Sequence, residues 1–145
     1  MANVIYRGTT QVQPVTVNLP VTSTALPGSM VVVVGSTVVV AVAADVEKNL
    51  LVLSNNEFIG QAVETAYLSG DTATAYETKP GDQFQVRMAA ATYAVGDLLS
   101  IGASGYLEAA VAGEVVIARF TGTAGAIGAG VLADITIANS FVMAA

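Results

Sequence analysis

The stretch KPGDQFQVRM at residues 79–88 carries the clearest strand signal in the sequence. Phe84, Val86 and Met88 alternate with polar residues and follow a turn formed by Pro80-Gly81-Asp82. Because successive side chains of a strand point to opposite faces, this alternation places the three apolar side chains on one face. The stretch therefore predicts a tight turn followed by a β-strand with one face toward a core.

A pair of strands is predicted around a glycine turn further upstream. Met30–Val34 and Thr37–Val42 consist almost entirely of valine, which favours strands, and only Gly35-Ser36 separates them. A glycine at the first of two loop positions is typical of a type II′ hairpin. Because the valines are continuous rather than alternating, we expect this hairpin to be buried on both faces or covered by a partner.

Short apolar segments separated by turn residues continue through the rest of the sequence, with no long stretch of helical periodicity. Ala44–Asn49 is interpreted as one helical turn or a loop. The further predicted strands are Leu50–Leu53, Phe58–Thr65, Thr72–Glu77, Leu98–Ile101, Tyr106-Leu107, Val115–Phe120 and Asp134–Ala138. This pattern predicts an all-β fold, either a compact β-sandwich or a barrel-like domain.

The N-terminal part of the sequence, residues 1–27, differs in composition from the rest of the chain. It contains three of the four prolines and no charged residue other than Arg7. Apolar residues alternate from Val15 to Val21, which indicates an extended segment, and proline favours an edge strand or an arm. We therefore interpret residues 1–27 as an extended N-terminal arm and residues 28–145 as the β domain. A partly disordered leader is the alternative for residues 1–27.

An internal duplication is one interpretation of the spacing of glycine and apolar residues. Three positions recur later in the chain at an almost constant separation, and the pairs are Gly28 and Gly96, Gly35 and Gly102, and Leu53 and Phe120. A duplication predicts two similar β halves, about residues 28–79 and 80–145. Chance is the other interpretation, because matches among Val, Ala and Gly arise easily in a chain of this composition.

Composition bounds the kinds of partner that the chain can have. Of its 145 residues 54% are hydrophobic and 11% are charged, against about a quarter charged in an average soluble domain. Oligomerisation or docking on a larger assembly would cover the apolar surface, and a monomer with an Ala, Thr and Ser surface is the alternative. The net charge of −6 and the scattered five Lys and Arg residues argue against binding to nucleic acid or anionic membranes.

Residue types needed for much enzyme chemistry are missing from the sequence. It has no His and no Cys, which removes the commonest general base, thiol nucleophiles and the usual zinc ligands. Asp71, Asp82 and Asp97 each follow a glycine and precede a predicted strand. We interpret them as turn residues rather than as a calcium site or a glycosidase pair. We expect a non-enzymatic protein without metal or cofactor.

Two further segments resemble a phosphate-binding loop and a transmembrane segment, but their residues do not support either function. Residues 122–130 resemble a phosphate-binding loop, but no lysine follows Lys79, so we predict a flexible Gly/Ala loop. The apolar run Met30–Ala44 is shorter than the segment of about 20 residues that crosses a bilayer, and Gly35-Ser36 interrupts it. We therefore expect neither a transmembrane segment nor a signal peptide.

Several turns and strands together form a pattern typical of one family. They are Gly70-Asp71, Ala75-Tyr76, residues 79–87, Val95-Gly96-Asp97-Leu98-Leu99 and Gly105-Tyr106-Leu107. These features, within about residues 27–138, resemble small bacteriophage head proteins of the capsid decoration (cement, or head-stabilising) family. The resemblance implies a β-rich homotrimer on the outer capsid surface of the virion, made in the cytoplasm of the host bacterium.

The resemblance also implies how such a protein binds. Decoration proteins bridge neighbouring subunits of the major capsid protein at three-fold or quasi-three-fold positions, and in several families an extended terminal arm makes the contact. Residues 1–27 are the candidate arm here. The candidates for contact with the capsid or with another subunit are Val4, Ile5, Tyr6, Arg7, Val15, Val17, Leu19 and Val21.

A ligand-binding β module, carbohydrate-binding or adhesin-like, is the main alternative function. Such a module would gather aromatic side chains on one face, and five tyrosines are available, namely Tyr6, Tyr67, Tyr76, Tyr93 and Tyr106. A small enzyme that uses acids alone is a third interpretation. It requires two carboxylates roughly 5–10 Å apart in a cleft.

Overall fold

The computed structural model describes residues 5–8 and 14–144. In these ranges the chain is mainly β-strand, with three short 3-10 helices and no α-helix. The all-β fold predicted from the turns and strands is therefore confirmed. The strands are β1 (Thr16–Pro20), β2 (Met30–Val34), β3 (Thr37–Val40), β4 (Leu51–Ser54), β5 (Thr72–Glu77), β6 (Gln83–Met88), β7 (Ala91–Tyr93), β8 (Leu98–Ile101), β9 (Leu107–Ala109), β10 (Val115–Phe120), β11 (Gly125–Ile127) and β12 (Val131–Val142).

The first five strands form one antiparallel sheet with the order β1-β5-β4-β2-β3. β2 and β3 pair as a hairpin in which Val34 lies opposite Thr37 and two residues form the loop. Gly35, the first of them, has a φ of +62°, which suits a type II′ turn and confirms the predicted hairpin. A parallel bridge between Val21 and Val38 links the end of β1 to β3, so the sheet is nearly closed on itself.

The later strands form a closed barrel with the order β6-β12-β10-β8-β9. The barrel closes where Met88 of β6 pairs in parallel with Leu107 of β9. The two sheets have the same strand order, and each has a parallel closure at the same place. The corresponding strands are β1 and β6, β2 and β8, β3 and β9, β4 and β10, and β5 and β12. We call residues 14–77 the first half and residues 79–143 the second half.

Backbone hydrogen bonds also repeat in the two halves. The N–H of Gly28 donates to the carbonyl of Leu53 at 2.6 Å, and the N–H of Gly96 donates to the carbonyl of Phe120 at 2.8 Å. These are the residues that the sequence spacing pairs. The first half begins earlier than the predicted boundary at residue 28. It includes β1, the counterpart of β6, which lies before that residue.

Two clusters of buried side chains follow from this arrangement. The first fills the interior of the first sheet and includes Val31. The second fills the barrel and reaches the outer face of the first sheet, where Met30 and Val32 join it. The first part of β2 is therefore buried on both faces, as the continuous valines predicted, whereas Val33 and Val34 at its tip are exposed.

The predicted strand over Phe58–Thr65 is wrong. The chain forms a 3-10 helix at Glu57–Ile59 and then turns at Gly60, whose φ is +70°. The side-chain oxygen of Asn56 accepts the N–H of Phe58 at 3.2 Å and so caps the helix. Capping by asparagine offers the backbone an alternative to strand pairing, and it prevails here over the strand preference of Phe58 and Ile59.

Residues 122–130 also depart from the prediction of a flexible loop. Gly125–Ile127 forms β11 and pairs antiparallel with β7, with Gly125 opposite Tyr93. In the first half, a single bridge between Ala25 and Tyr67 lies at the corresponding place. The segment is therefore part of the repeated architecture, held by backbone pairing that a Gly/Ala composition does not reveal.

The three acids that follow glycine cap turns, as predicted. Their carboxylates accept a backbone N–H from three residues earlier at 2.8 to 3.0 Å, and the pairs are Asp71 with Leu68, Asp82 with Lys79, and Asp97 with Ala94. Each carboxylate thereby satisfies a donor in a turn. The acids serve the local backbone at three separate places.

The segment predicted to be an arm is built into the domain wherever the structure describes it. Residues 5–7 lie along β6, where Gln85 N–H donates to the carbonyl of Ile5 at 2.7 Å and Arg7 N–H donates to the carbonyl of Gln83 at 2.8 Å. β1 pairs with β5 at the edge of the first sheet, a position that proline favours. Residues 14–27 thus belong to the first half, and residues 1–4 and 9–13 lie outside the described residues.

Candidate interaction surfaces

Two of the predicted contact residues are buried within their own chain. Ile5 is 2% exposed and packs in the core of the barrel, and Val21 is 3% exposed and packs inside the first sheet. Their assignment to an external contact is therefore corrected, because an apolar side chain inside a core cannot also meet a partner. Val4 lies outside the described residues.

Tyr6 and Arg7 lie where the N-terminal segment crosses β6. The Tyr6 ring lies 5.6 Å from the ring of Phe84 and 6.0 Å from that of Tyr76, centroid to centroid. The Arg7 guanidinium lies 3.4 Å from the carboxylate of Asp134 on β12. Both side chains remain partly accessible, but their contacts anchor the segment to β6 and β12 of the second half and to Tyr76 of the first.

The other predicted contact residues lie on or beside β1 and are accessible. Val15 is exposed, while Val17 and Leu19 are half-buried against the core of the first sheet. No charged residue occurs anywhere between Arg7 and Asp45, so this part of the surface is uncharged. The edge of the first sheet therefore offers apolar side chains and strand backbone together.

Three strongly exposed large apolar side chains lie in the connection between β4 and β5, which we call the 55–71 loop. Phe58 is 101% exposed, Ile59 76% and Leu68 62%. Sequence reasoning missed this surface because it assigned Phe58 and Ile59 to a strand. The cap sequence Asn55-Asn56-Glu57 ahead of them is the signal that indicates a turn of helix instead.

A hydrogen-bond network braces the tip of the 55–71 loop. The side chain of Gln61 accepts the N–H of Asn56 at 2.7 Å and donates to the carbonyl of Thr65 at 2.8 Å. The Asn55 amide donates to the carbonyl of Gln61 at 2.8 Å. These bonds hold both sides of the tip, so Phe58 is displayed on a loop with defined backbone geometry.

A buried arginine ties the same loop to the rest of the molecule. Arg87 of β6 is 2% exposed and donates to three backbone carbonyls, those of Val63 at 2.6 Å, Pro27 at 2.8 Å and Gly130 at 2.8 Å. Its guanidinium also lies 3.2 Å from the carboxylate of Glu64. One side chain of the second half thus fixes two segments of the first. One of them, at Val63, is part of the 55–71 loop.

A hollow of about 570 Å³ lies beside the loop tip. Its lining includes Ile59, Ala62 and Leu68, with Tyr67 beneath them. The Tyr67 hydroxyl donates to the carbonyl of Ser54 at 2.7 Å, and burial raises its pKa. The hollow and the exposed tip share Ile59 and together form one apolar surface.

Two acidic residues lie at this apolar surface, since Asp71 lines the hollow and Glu57 precedes Phe58. Residues 49–78 contain Glu57, Glu64, Asp71 and Glu77 and neither Lys nor Arg. Of the five basic residues in the chain, Arg87 is buried, Arg7 pairs with Asp134, and Lys48 lies 2.7 Å from Asp45. The apolar surface is therefore suited to a partner that carries basic side chains of its own.

The aromatic side chains do not form an exposed platform in the described parts of the chain. Tyr67 and Tyr93 are buried, and Tyr93 stacks on Phe120 with ring centroids 5.4 Å apart. Burial also raises the pKa of Tyr93. Tyr6, Tyr76 and Phe84 form one cluster in which Phe84 is fully buried.

Two other kinds of site are absent from the described ranges 5–8 and 14–144. No group of three or more acidic side chains is placed to hold a metal ion there. No helix in those ranges has the length and apolar character needed to cross a membrane.

Comparison with protein-family models and with curated proteins gives no match. Function is therefore inferred from the surfaces described above.

Proposed function

We propose that this chain is a non-enzymatic structural protein of a bacteriophage head, which decorates the outer capsid surface and stabilises it by bridging subunits of the major capsid protein. The observation that carries the proposal is the braced 55–71 loop, which holds Phe58 and Ile59 in solvent. The resemblance of the turn and strand pattern to capsid decoration proteins supports a phage capsid as the assembly to which the loop binds.

The energetics of the loop favour a binding role. Burying a Phe or Ile side chain contributes about 1.5–3 kcal/mol, which an exposed position forgoes. Because the bonds of Gln61 and Arg87 already fix the loop, association orders little additional backbone. A rigid apolar anchor of this kind is typical of the few residues that dominate binding energy at protein interfaces.

Charge supports the outside of the shell as the location. The chain carries a net charge of −6, and the phosphates of packaged DNA would repel it from the interior. Attachment as a homotrimer would engage three such anchors at once, and multivalent attachment converts weak single contacts into durable ones. Bridging then follows because each anchor of the trimer would hold a different capsid subunit.

Co-sedimentation with heads of the phage that carries the gene tests the proposal. The test variant is Phe58→Ser with Ile59→Ser, and the control is Val95→Ser with Val111→Ser, which changes two exposed valines of the second half. We expect the wild type and the control to pellet with the heads. The loop variant should bind at least tenfold more weakly, since a loss of about 1.4 kcal/mol corresponds to a factor of ten in affinity. Failure of the wild type to bind heads would contradict the proposal.

A further inference from the structure

On the side that faces away from β12, the part of β6 before Met88 pairs with the chain's own N-terminal segment. We call this side the outer edge of β6. Gln83, Gln85 and Arg87 direct their backbone groups away from β12, and the first two bond with residues 5–7. Ile5 fills the core next to this edge and is 2% exposed. A short extended segment with an apolar side chain thus completes the second half.

β1 is the counterpart of β6 in the first half. Val15 and Val21 bond with Glu77 and Asp71 on the β5 side, and strand alternation therefore turns the backbone groups of Thr16 and Asn18 outward. Thr16 and Asn18 correspond to Gln83 and Gln85 by position. In the ranges that the structure describes, no backbone group pairs with Thr16 or Asn18 on that outer side.

The apolar side chains of β1 are less buried than those of β6. A missing neighbouring strand on the outer side of β1 would produce this difference. Phe84 and Val86 on β6 are fully buried. Their counterparts on β1, Val17 and Leu19, are only half-buried, although they pack against the core of the first sheet. The first half therefore lacks the cover that residues 5–7 give to the second.

We propose that the outer edge of β1, at Thr16 and Asn18, receives an extended apolar strand from the capsid shell protein, in the place that Ile5–Arg7 takes on β6. This proposal rests on the proposed function for the identity of the partner. Strand addition of this kind binds through backbone hydrogen bonds and gains specificity from alternate side chains. Pro20, which lacks an N–H, limits the added strand to the part of the edge before it.

We assign the edge to a different protein rather than to the N-terminal segment of another copy of this chain. The segment of this chain that fits such an edge is Ile5–Arg7, and each copy already uses it at its own β6. The edge carries no charge, since no acidic or basic residue lies between Arg7 and Asp45. It therefore fits an uncharged apolar segment, and no lysine on β1 protects it against strand pairing.

The test is Asn18→Pro compared with Asn18→Val as the matched control. Both variants lose the side-chain bond from Thr74 to Asn18, but only proline removes the outward N–H. Because proline also fixes φ at about −65°, the denaturant midpoint of each variant is measured first, and head binding is compared under conditions in which both are folded. On phage heads we expect Asn18→Val to bind like the wild type and Asn18→Pro to bind at least tenfold more weakly.

Hydrogen–deuterium exchange of residues 14–21 provides the second measurement. The amides of Thr16 and Asn18 should exchange rapidly in the free chain and become protected on the heads. Head binding without this protection, and with Asn18→Pro equal to wild type, would overturn the inference and leave the proposed function standing. If the wild type does not bind heads at all, the proposed function fails, and this inference fails with it.

Discussion

Gly28 and Gly96 occupy the same place in the two halves of the molecule. Their φ angles are +90° and +94°, and each donates its N–H to the carbonyl of a strand residue, Leu53 or Phe120. They differ in what surrounds them. A Cβ on Gly28 would lie 2.4 Å from a methyl carbon of Leu132, whereas a Cβ on Gly96 would meet no atom within 4 Å.

Alanine substitution should therefore cost unequal amounts at the two glycines. Gly96→Ala adds only the strain of a positive φ, about 1–2 kcal/mol. Gly28→Ala adds to this the overpacking against Leu132, typically a further cost of about 1–3 kcal/mol. Urea denaturation of both variants measures the difference, and equal losses of unfolding free energy would show that Leu132 moves aside without cost.

Ile5 should stabilise the fold rather than bind a partner. Ile5→Ala removes a core side chain that is 2% exposed and should lower the free energy of unfolding by about 2–5 kcal/mol. Val15→Ala is the control, because Val15 is 55% exposed and its truncation should change stability by less than about 0.5 kcal/mol. If both substitutions left the thermal midpoint unchanged, the N-terminal segment would not be docked on β6 in solution.

Arg87 should stabilise the fold through the hydrogen bonds that its N–H groups donate rather than through its charge. Arg87→Met leaves the carbonyls of Val63, Pro27 and Gly130 without this partner and should cost about 3–5 kcal/mol. Glu64→Gln removes the carboxylate beside Arg87, but Glu64 is largely exposed, so it should cost less than about 1 kcal/mol. Chemical denaturation distinguishes them, and a larger loss for Glu64→Gln would contradict the assignment.

Asp45 should make stability depend on pH in acid. The Lys48 ammonium that bonds its carboxylate, together with the N–H of Val42, holds the pKa of Asp45 below the ordinary 3.8. The folded form therefore gains stability from the ionised carboxylate above pH 3.8, and this gain is lost as the pH falls through the lowered pKa. Asp45→Asn should lower the thermal midpoint near neutral pH and approach the wild type in strong acid.

Two controls sharpen the pH experiment. Lys48→Met removes the largest cause of the lowered pKa, so its acid-induced loss of stability should begin at a higher pH than in the wild type. Glu47 is exposed, and Glu47→Gln should leave the dependence on pH unchanged. A Glu47→Gln curve that shifts like the Asp45→Asn curve would mean that general surface charge governs the effect.

The features that sequence predicted are those with local causes. The alternation of Phe84, Val86 and Met88 gives β6, and Gly35 gives the hairpin, since each signal lies within a few residues of the structure it sets. The turn roles of Asp71, Asp82 and Asp97 are equally local, because each carboxylate bonds a backbone N–H three residues away.

The features that sequence did not predict depend on distant contacts. Ile5 docks beside Gln85, which lies far along the chain, and nothing near Ile5 in the sequence indicates that partner. The burial of Arg87 likewise depends on carbonyls from three separate segments. The strand preference of Phe58 and Ile59 gives a wrong prediction because the side chain of Asn56 caps a turn of helix there. The accessible edge of β1 has no local signal in the sequence, because it depends on where residues 5–7 pair in the folded chain.

Electron cryo-microscopy of phage heads with and without the purified chain tests the central claim most directly. Phage heads incubated with wild-type protein should show added density on the outer surface, at three-fold or quasi-three-fold positions, with the first half and its 55–71 loop against the shell. Phage heads incubated with the Phe58→Ser, Ile59→Ser variant should show weaker density at the same positions. A difference map without added density, or with the chain inside the shell, would contradict a decoration role.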